Sequence, residues 1–148
     1  MRNRMILIAV GALALVLLAD CGPGKYVPKA SEEIYGTWTN EGIKWQKIVI
    51  YAGGTKAYVN LANNNADMET KEQISAKWKD ADGNVWYKTL ELFISGPLKG
   101  SKGQYLWKIS NGSQMELTGE FVKDFNEKSF PADLRSDRMA DHRMYQKR

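Results

Sequence analysis

A chain of 148 residues with a net charge of +4 has the length of one domain with room for a real core. The basic and acidic residues are interspersed, with no basic stripe to follow a phosphate backbone, so nucleic acid is not an expected partner. One cysteine excludes an intrachain disulfide, and one histidine, His142, excludes any metal site built on two or more histidines.

The chain opens on MRNRM, with two arginines, followed by an apolar run from Ile6 to Ala19. As a helix this run would rise roughly 21 Å, short of the roughly 30 Å hydrocarbon core. A basic start, a short apolar run and a boundary read as an export signal over residues 1–20. The alternative is a short anchor that stays uncleaved. The run ends on LADC, and GPGKYVPKA follows, where Gly22, Pro23, Gly24 and Pro28 make a non-helical tether over residues 21–30.

Beyond the tether the hydrophobic period is two. SEEIYGTWTN opens the pattern: Ser31 is placed to cap a short turn, with Glu32 and Glu33 near its positive end, and Gly36 releases the chain into a strand carrying Trp38. WQKIVIYA and KAYVNLA follow, the latter with Ala57, Val59 and Leu61 on one face; NNNADMETK reads as a polar loop. EQISAKWK alternates Ile74, Ala76 and Trp78 against Ser75, Lys77 and Lys79. DADGN is a tight hairpin, and VWYKTLELFI is expected to be the longest strand. SGPLKGSKG is a glycine-rich crossover. QYLWKIS sets Tyr105, Trp107 and Ile109 on one face, Asn111-Gly112 turns, and SQMELTGEF pairs Met115 with Leu117. Residues 122–141 are polar, with a short helix expected around PADLRSDRM, and HRMYQKR closes the chain as a last strand.

Eight strands joined mostly by short turns predict an all-β domain over residues 31–148, an antiparallel up-and-down barrel closed on itself. A two-sheet sandwich of the same strands is the rival. Five Trp, seven Tyr and four Phe can fill such a barrel with few side chains.

Two stretches resemble known families. LADC resembles the lipobox of bacterial lipoproteins, with Leu18, Ala19 and Cys21 in the matching positions and Asp20 where a small residue is usual. The resemblance implies cleavage before Cys21, acylation of its thiol, palmitate-type chains in the bilayer and, with Gly22 next, the outer membrane where two membranes exist. YGTWTN resembles the lipocalin-like (calycin) group, whose mark is Gly-x-Trp after a short turn, here Gly36-Thr37-Trp38. The resemblance implies that Trp38 packs across the closed end and that a basic residue of the last strand, Arg148, Lys147 or Arg143, lies over it. It also implies an envelope protein that binds a small hydrophobic or amphiphilic ligand.

The aromatic set has two readings, core or pocket. The pocket reading takes Trp78, Trp86, Leu90, Tyr105 and Trp107 as its lining, with Lys88 either inward against an anionic headgroup or outward in solvent. A filled barrel would act instead as an interaction or inhibitor module. DADGNVWYKTLE mimics a calcium loop, but Val85 stands where the sharp turn needs glycine. Asn111-Gly112-Ser113 fits a glycosylation acceptor and, better, a hairpin turn. No nucleophile with a base partner stands out, so no catalytic residue, cofactor or metal is expected.

Overall fold

The computed structural model describes residues 26–40, 46–60, 62–134 and 142–148. The export signal, Asp20, Cys21 and the first half of the tether lie outside the described residues, as do Leu61 and residues 135–139 of the expected late helix; residues 131–134, at its start, are not helical.

Eight strands form one closed antiparallel barrel in chain order: β1 (Gly36–Asn40), β2 (Gln46–Tyr51), β3 (Thr55–Asn60), β4 (Ala66–Lys79), β5 (Val85–Phe93), β6 (Lys102–Ser110), β7 (Gln114–Val122) and β8 (His142–Lys147). Each strand pairs its sequence neighbour, and β8 returns to β1 with Trp38 opposite Lys147 and Asn40 opposite Tyr145. That last pairing removes both edges, which decides against the sandwich. Asn111 and Gly112, the central pair of the Ser110–Ser113 turn between β6 and β7, both have positive φ, as a primed turn requires. The β4–β5 hairpin is built differently: only Gly83 of its turn is positive, and the Asp80 carboxylate accepts the amides of Asp82 and Asn84. Asp80 therefore serves the turn.

β4, not β5, is the longest strand, at 14 residues, and it absorbs much of the stretch expected as loop. Its first half pairs β3 as far as Thr55–Lys71, while Thr70 to Lys79 pair β5. A register shift between Ile74 and Ala76 splits its alternation, so Ile74 faces in before the shift and Lys77 after it.

The interior holds Trp38, Ile48, Ile50, Tyr58, Ile74, Val85, Tyr87, Phe93, Trp107, Ile109, Met115, Leu117 and Tyr145. Tyr105 lies flat over two glycines. A Cβ at Gly119, its cross-strand partner, would sit 2.0 Å from the Tyr105 ring, and one at Gly103 2.5 Å. Glycine at both positions lets the ring cross the barrel wall at backbone height.

Outside the barrel, the chain after β7 lies along β5 and β6. Gln104 exchanges two hydrogen bonds with the Asn126 backbone, and Asn126 caps a single 3-10 turn, Glu127–Ser129. Lys88 pairs with Glu127 and lies over the Phe130 ring, so it belongs to the outer face.

Candidate functional site

The N-terminal stretch folds back across one end of the barrel. The Tyr35 amide donates to the Glu32 carbonyl, which makes one turn, and the Trp38 indole donates to the Ile34 carbonyl at 2.8 Å. The turn is held by side chains of Glu32 and Glu33, with no helix. Lys77 of β4 reaches both carboxylates, at 2.7 and 2.5 Å, and the Tyr87 hydroxyl lies 2.6 Å from Glu33 Oε2. Glu32 also accepts from the Tyr26 hydroxyl and the Lys29 amide. Burial pushes both carboxyls up, but the bonds from Lys77 and from the tyrosines prevail and hold each at about 2.

Lys147 lies with its Nζ 5.2 Å from the Trp38 ring centre and donates to the Glu33 carbonyl. It occupies the place that the sequence reading gave first to Arg148. Arg148 is exposed, and its amide donates to the Thr37 carbonyl.

The barrel interior carries a charge cluster that hydrophobic patterning hides. Lys56 of β3, fully buried, sits 2.6 Å from Glu72 of β4 and 2.9 Å from Glu91 of β5. Three strands in a row each contribute one member, which is why the three converge. Tyr58 donates to Glu91 Oε1 at 3.0 Å. The Lys56 ammonium also faces the rings of Tyr58, Tyr105 and Trp107 at 5.2, 5.1 and 4.8 Å. Trp107 is oriented by its own bond to the Thr89 hydroxyl at 2.7 Å.

Burial alone would strip the proton from Lys56, but the carboxylates of Glu72 and Glu91 outweigh it and raise the ammonium above its usual range. Burial, with help from the neighbouring Glu91, raises the Glu72 carboxyl, against the pull of Lys56. Glu72 Oε2 faces Lys56, Oε1 is buried, and the Thr89 hydroxyl also bonds this carboxyl.

Glu72 lies on the wall of a cleft of about 540 Å³, at the end of the barrel crossed by residues 28–35. Its lining is chiefly apolar, with Ile34, Tyr35, Ile50 and Ile74 around Glu72 and the β2–β3 turn at Gly53 and Gly54. The cleft exists because β4 runs on past its last β3 partner, and the N-terminal stretch covers the space only in part.

The five residues expected to line a pocket are not brought together. Tyr105 and Trp107 point inward, 6.1 Å apart at their ring centres, and help enclose Lys56. Trp78 and Trp86 stack on the outer face at 5.8 Å, with Trp78 40% exposed and the Trp86 indole bonded to Asp80. Leu90 lies opposite Gln104 on the outer face, buried beside the chain that follows β7. The register shift in β4 turned Trp78 outward. In β5 the inward set is Val85, Tyr87, Thr89, Glu91 and Phe93, the alternation opposite to the one expected. In β3 the inward residues are Lys56 and Tyr58, with Ala57 and Val59 on the other side.

Compared with known proteins, this chain matches no family model, no curated protein and no solved structure.

Proposed function

We propose that this chain is an exported envelope lipoprotein, lipidated at Cys21 and held on the outer membrane where two membranes exist. Its barrel resembles lipocalin-like domains and binds one small hydrophobic or amphiphilic molecule. The observation that carries the binding proposal is the apolar cleft of about 540 Å³ with the buried Glu72 on its wall. That volume lies within the usual range for small-molecule sites, about 300–1,000 Å³, and a few placed polar groups in an apolar lining are the usual means of orienting a ligand. The ligand site is the cleft at the barrel end, since Tyr58, Tyr105 and Trp107 crowd the centre.

The site is a binding site in this proposal, not a catalytic one. Lys56 keeps its proton between two carboxyl groups and three rings, so it has no lone pair to act as nucleophile or base. Native mass spectrometry of protein purified from its own membrane tests the idea directly. A co-purified small molecule that Ile74→Trp excludes is the expected result. Recovery of ligand-free protein, together with failure of apolar probes to bind, would overturn it.

A second reading rests on a separate observation. The stacked pair Trp78–Trp86 is presented outward with Lys108 5.8 Å from the Trp86 ring, a surface suited to an envelope protein partner. Cross-linking from position 78 in the envelope should capture a single protein species under this reading, and lipid alone would refute it.

A further inference from the structure

The Glu72 carboxyl belongs to a buried cluster whose charges are unequal. Lys56 and Tyr58 of β3, Glu91 and Thr89 of β5, Tyr105 of β6 and Tyr35 of the N-terminal stretch surround the Glu72 carboxyl, and Lys29 stands exposed at the rim. The tyrosines are all held neutral, because burial and the nearby carboxylates raise their hydroxyls. The buried cluster therefore holds two carboxyl groups against one ammonium. With both carboxyls ionised, one negative charge stands uncompensated in a dry interior, which a protein does not tolerate. Either a proton or a second cation must supply the balance.

Geometry says where the second cation would enter. Lys56 takes Glu72 Oε2 and Glu91 Oε2, and Tyr58 takes Glu91 Oε1. The remaining carboxylate oxygen is Glu72 Oε1, on a side chain only 3% exposed, and the carboxyl's other hydrogen-bond partner is the neutral Thr89 hydroxyl, so no second cation holds it. Glu72 is also the member of the cluster that lines the cleft, between Ile34, Ile50 and Ile74. A donor arriving with an apolar body would find its greasy part covered by the isoleucines and its charge opposite the Glu72 carboxyl.

We propose that the cleft selects a small molecule that joins an apolar body to one cationic amine, with Glu72 as the acceptor of its ammonium. This deepens the ligand-binding reading and rests on it. Binding replaces the proton that otherwise balances the cluster, so it is accompanied by proton release. Lys29 at the rim favours an anion, but it stands in water where its charge is screened, whereas Glu72 acts in the dry interior.

The test compares n-octylamine, 1-octanol and octanoate, three probes of one chain length, by protein-observed NMR titration at neutral pH on the mature chain. The amine should bind about tenfold or more tighter than the alcohol, as a charge-assisted hydrogen bond allows, and octanoate weakest. Calorimetry in two buffers of different ionisation enthalpy should show protons released with the amine and none with the alcohol. Glu72→Gln should bring amine and alcohol to within about twofold of each other while leaving the alcohol's affinity in place. Because the three-probe comparison is made on the unaltered chain, a folding defect in the variant cannot hide the answer. Equal binding of all three, or a preference for octanoate, overturns the amine proposal while the cleft remains a ligand site. Failure of all three to bind overturns the amine proposal and the carrier reading together.

Discussion

Trp38 and Lys147 are partners across the β1–β8 seam, and the Lys147 ammonium lies 5.2 Å from the Trp38 ring centre while donating to the Glu33 carbonyl. One side chain thereby joins the first strand, the last strand and the N-terminal turn. Lys147→Met should destabilise the domain by about 1 kcal/mol, the worth of an exposed cation–π contact with its hydrogen bond. Urea unfolding followed by tryptophan fluorescence measures it, and an unchanged midpoint would deny Lys147 this closing role.

The buried cluster of Lys56, Glu72 and Glu91 responds unequally to partial and complete removal. Lys56→Met leaves two carboxyl groups in the interior without their cation and should lower stability by about 3–5 kcal/mol. Replacing all three members together with Met, Leu and Leu should recover most of that loss, since well-packed apolar groups are often as stable as a buried ion cluster. Equilibrium denaturation of the single and triple variants distinguishes these outcomes. Additive losses would show that the cluster is not a unit.

Acid should loosen the N-terminal turn first. Glu32 and Glu33 titrate at about 2 in the folded chain, below the ordinary carboxyl value of 4.5. Between those values the unfolded chain binds the more protons, so the contribution is complete above about pH 5 and drains away as pH falls toward 2. Lys77→Met removes the cation common to both carboxylates and should flatten this acid limb. Thermal melts at pH 7, 4 and 3 would reveal it, and parallel curves for the two proteins would count against the assignment.

Tyr105 has no room for a methyl group beneath its ring. Gly119→Ala should displace the ring and destabilise by about 1–3 kcal/mol. Combined with Tyr105→Ala, the alanine at 119 should become nearly neutral, and a double-mutant cycle would quantify the coupling. The same displacement would unseat one of the three rings around Lys56.

Membrane attachment is tested at the other end of the chain. Cys21→Ala should abolish incorporation of labelled palmitate and release the protein from the membrane fraction. Continued membrane association of this variant would favour the uncleaved anchor.

The strand count, the closure into one barrel and the turn at Asn111-Gly112 were legible because alternation and turn chemistry are local properties. The faces of β3, β4 and β5 were not. In β3 both faces are covered, so Ala57 and Val59 suggested a core side while Lys56 and Tyr58 occupied it. In β4 a single register shift reversed the faces and carried Trp78 outside. The candidate site was hidden for a more basic reason: hydrophobic patterning assigns Lys56, Glu72, Glu91, Thr70 and Thr89 to solvent, yet all five are buried. Only pairing across β3, β4 and β5 brings the charged three together. The usable sign lay in VWYKTLELF, where Glu91 keeps step with Tyr87, Thr89 and Phe93.

The extension of β4 beyond its last β3 partner has a mechanical meaning. From residue 73 to residue 79 this strand is zipped to one neighbour, and its other margin meets the N-terminal crossing through side chains, with Lys77 as the clasp. A guest prising the wall apart along that margin severs no interstrand amide bond. Under the ligand-binding proposal this margin is the way in: release of the Lys77 and Tyr87 bonds to the N-terminal crossing opens it, and the barrel recloses without unfolding.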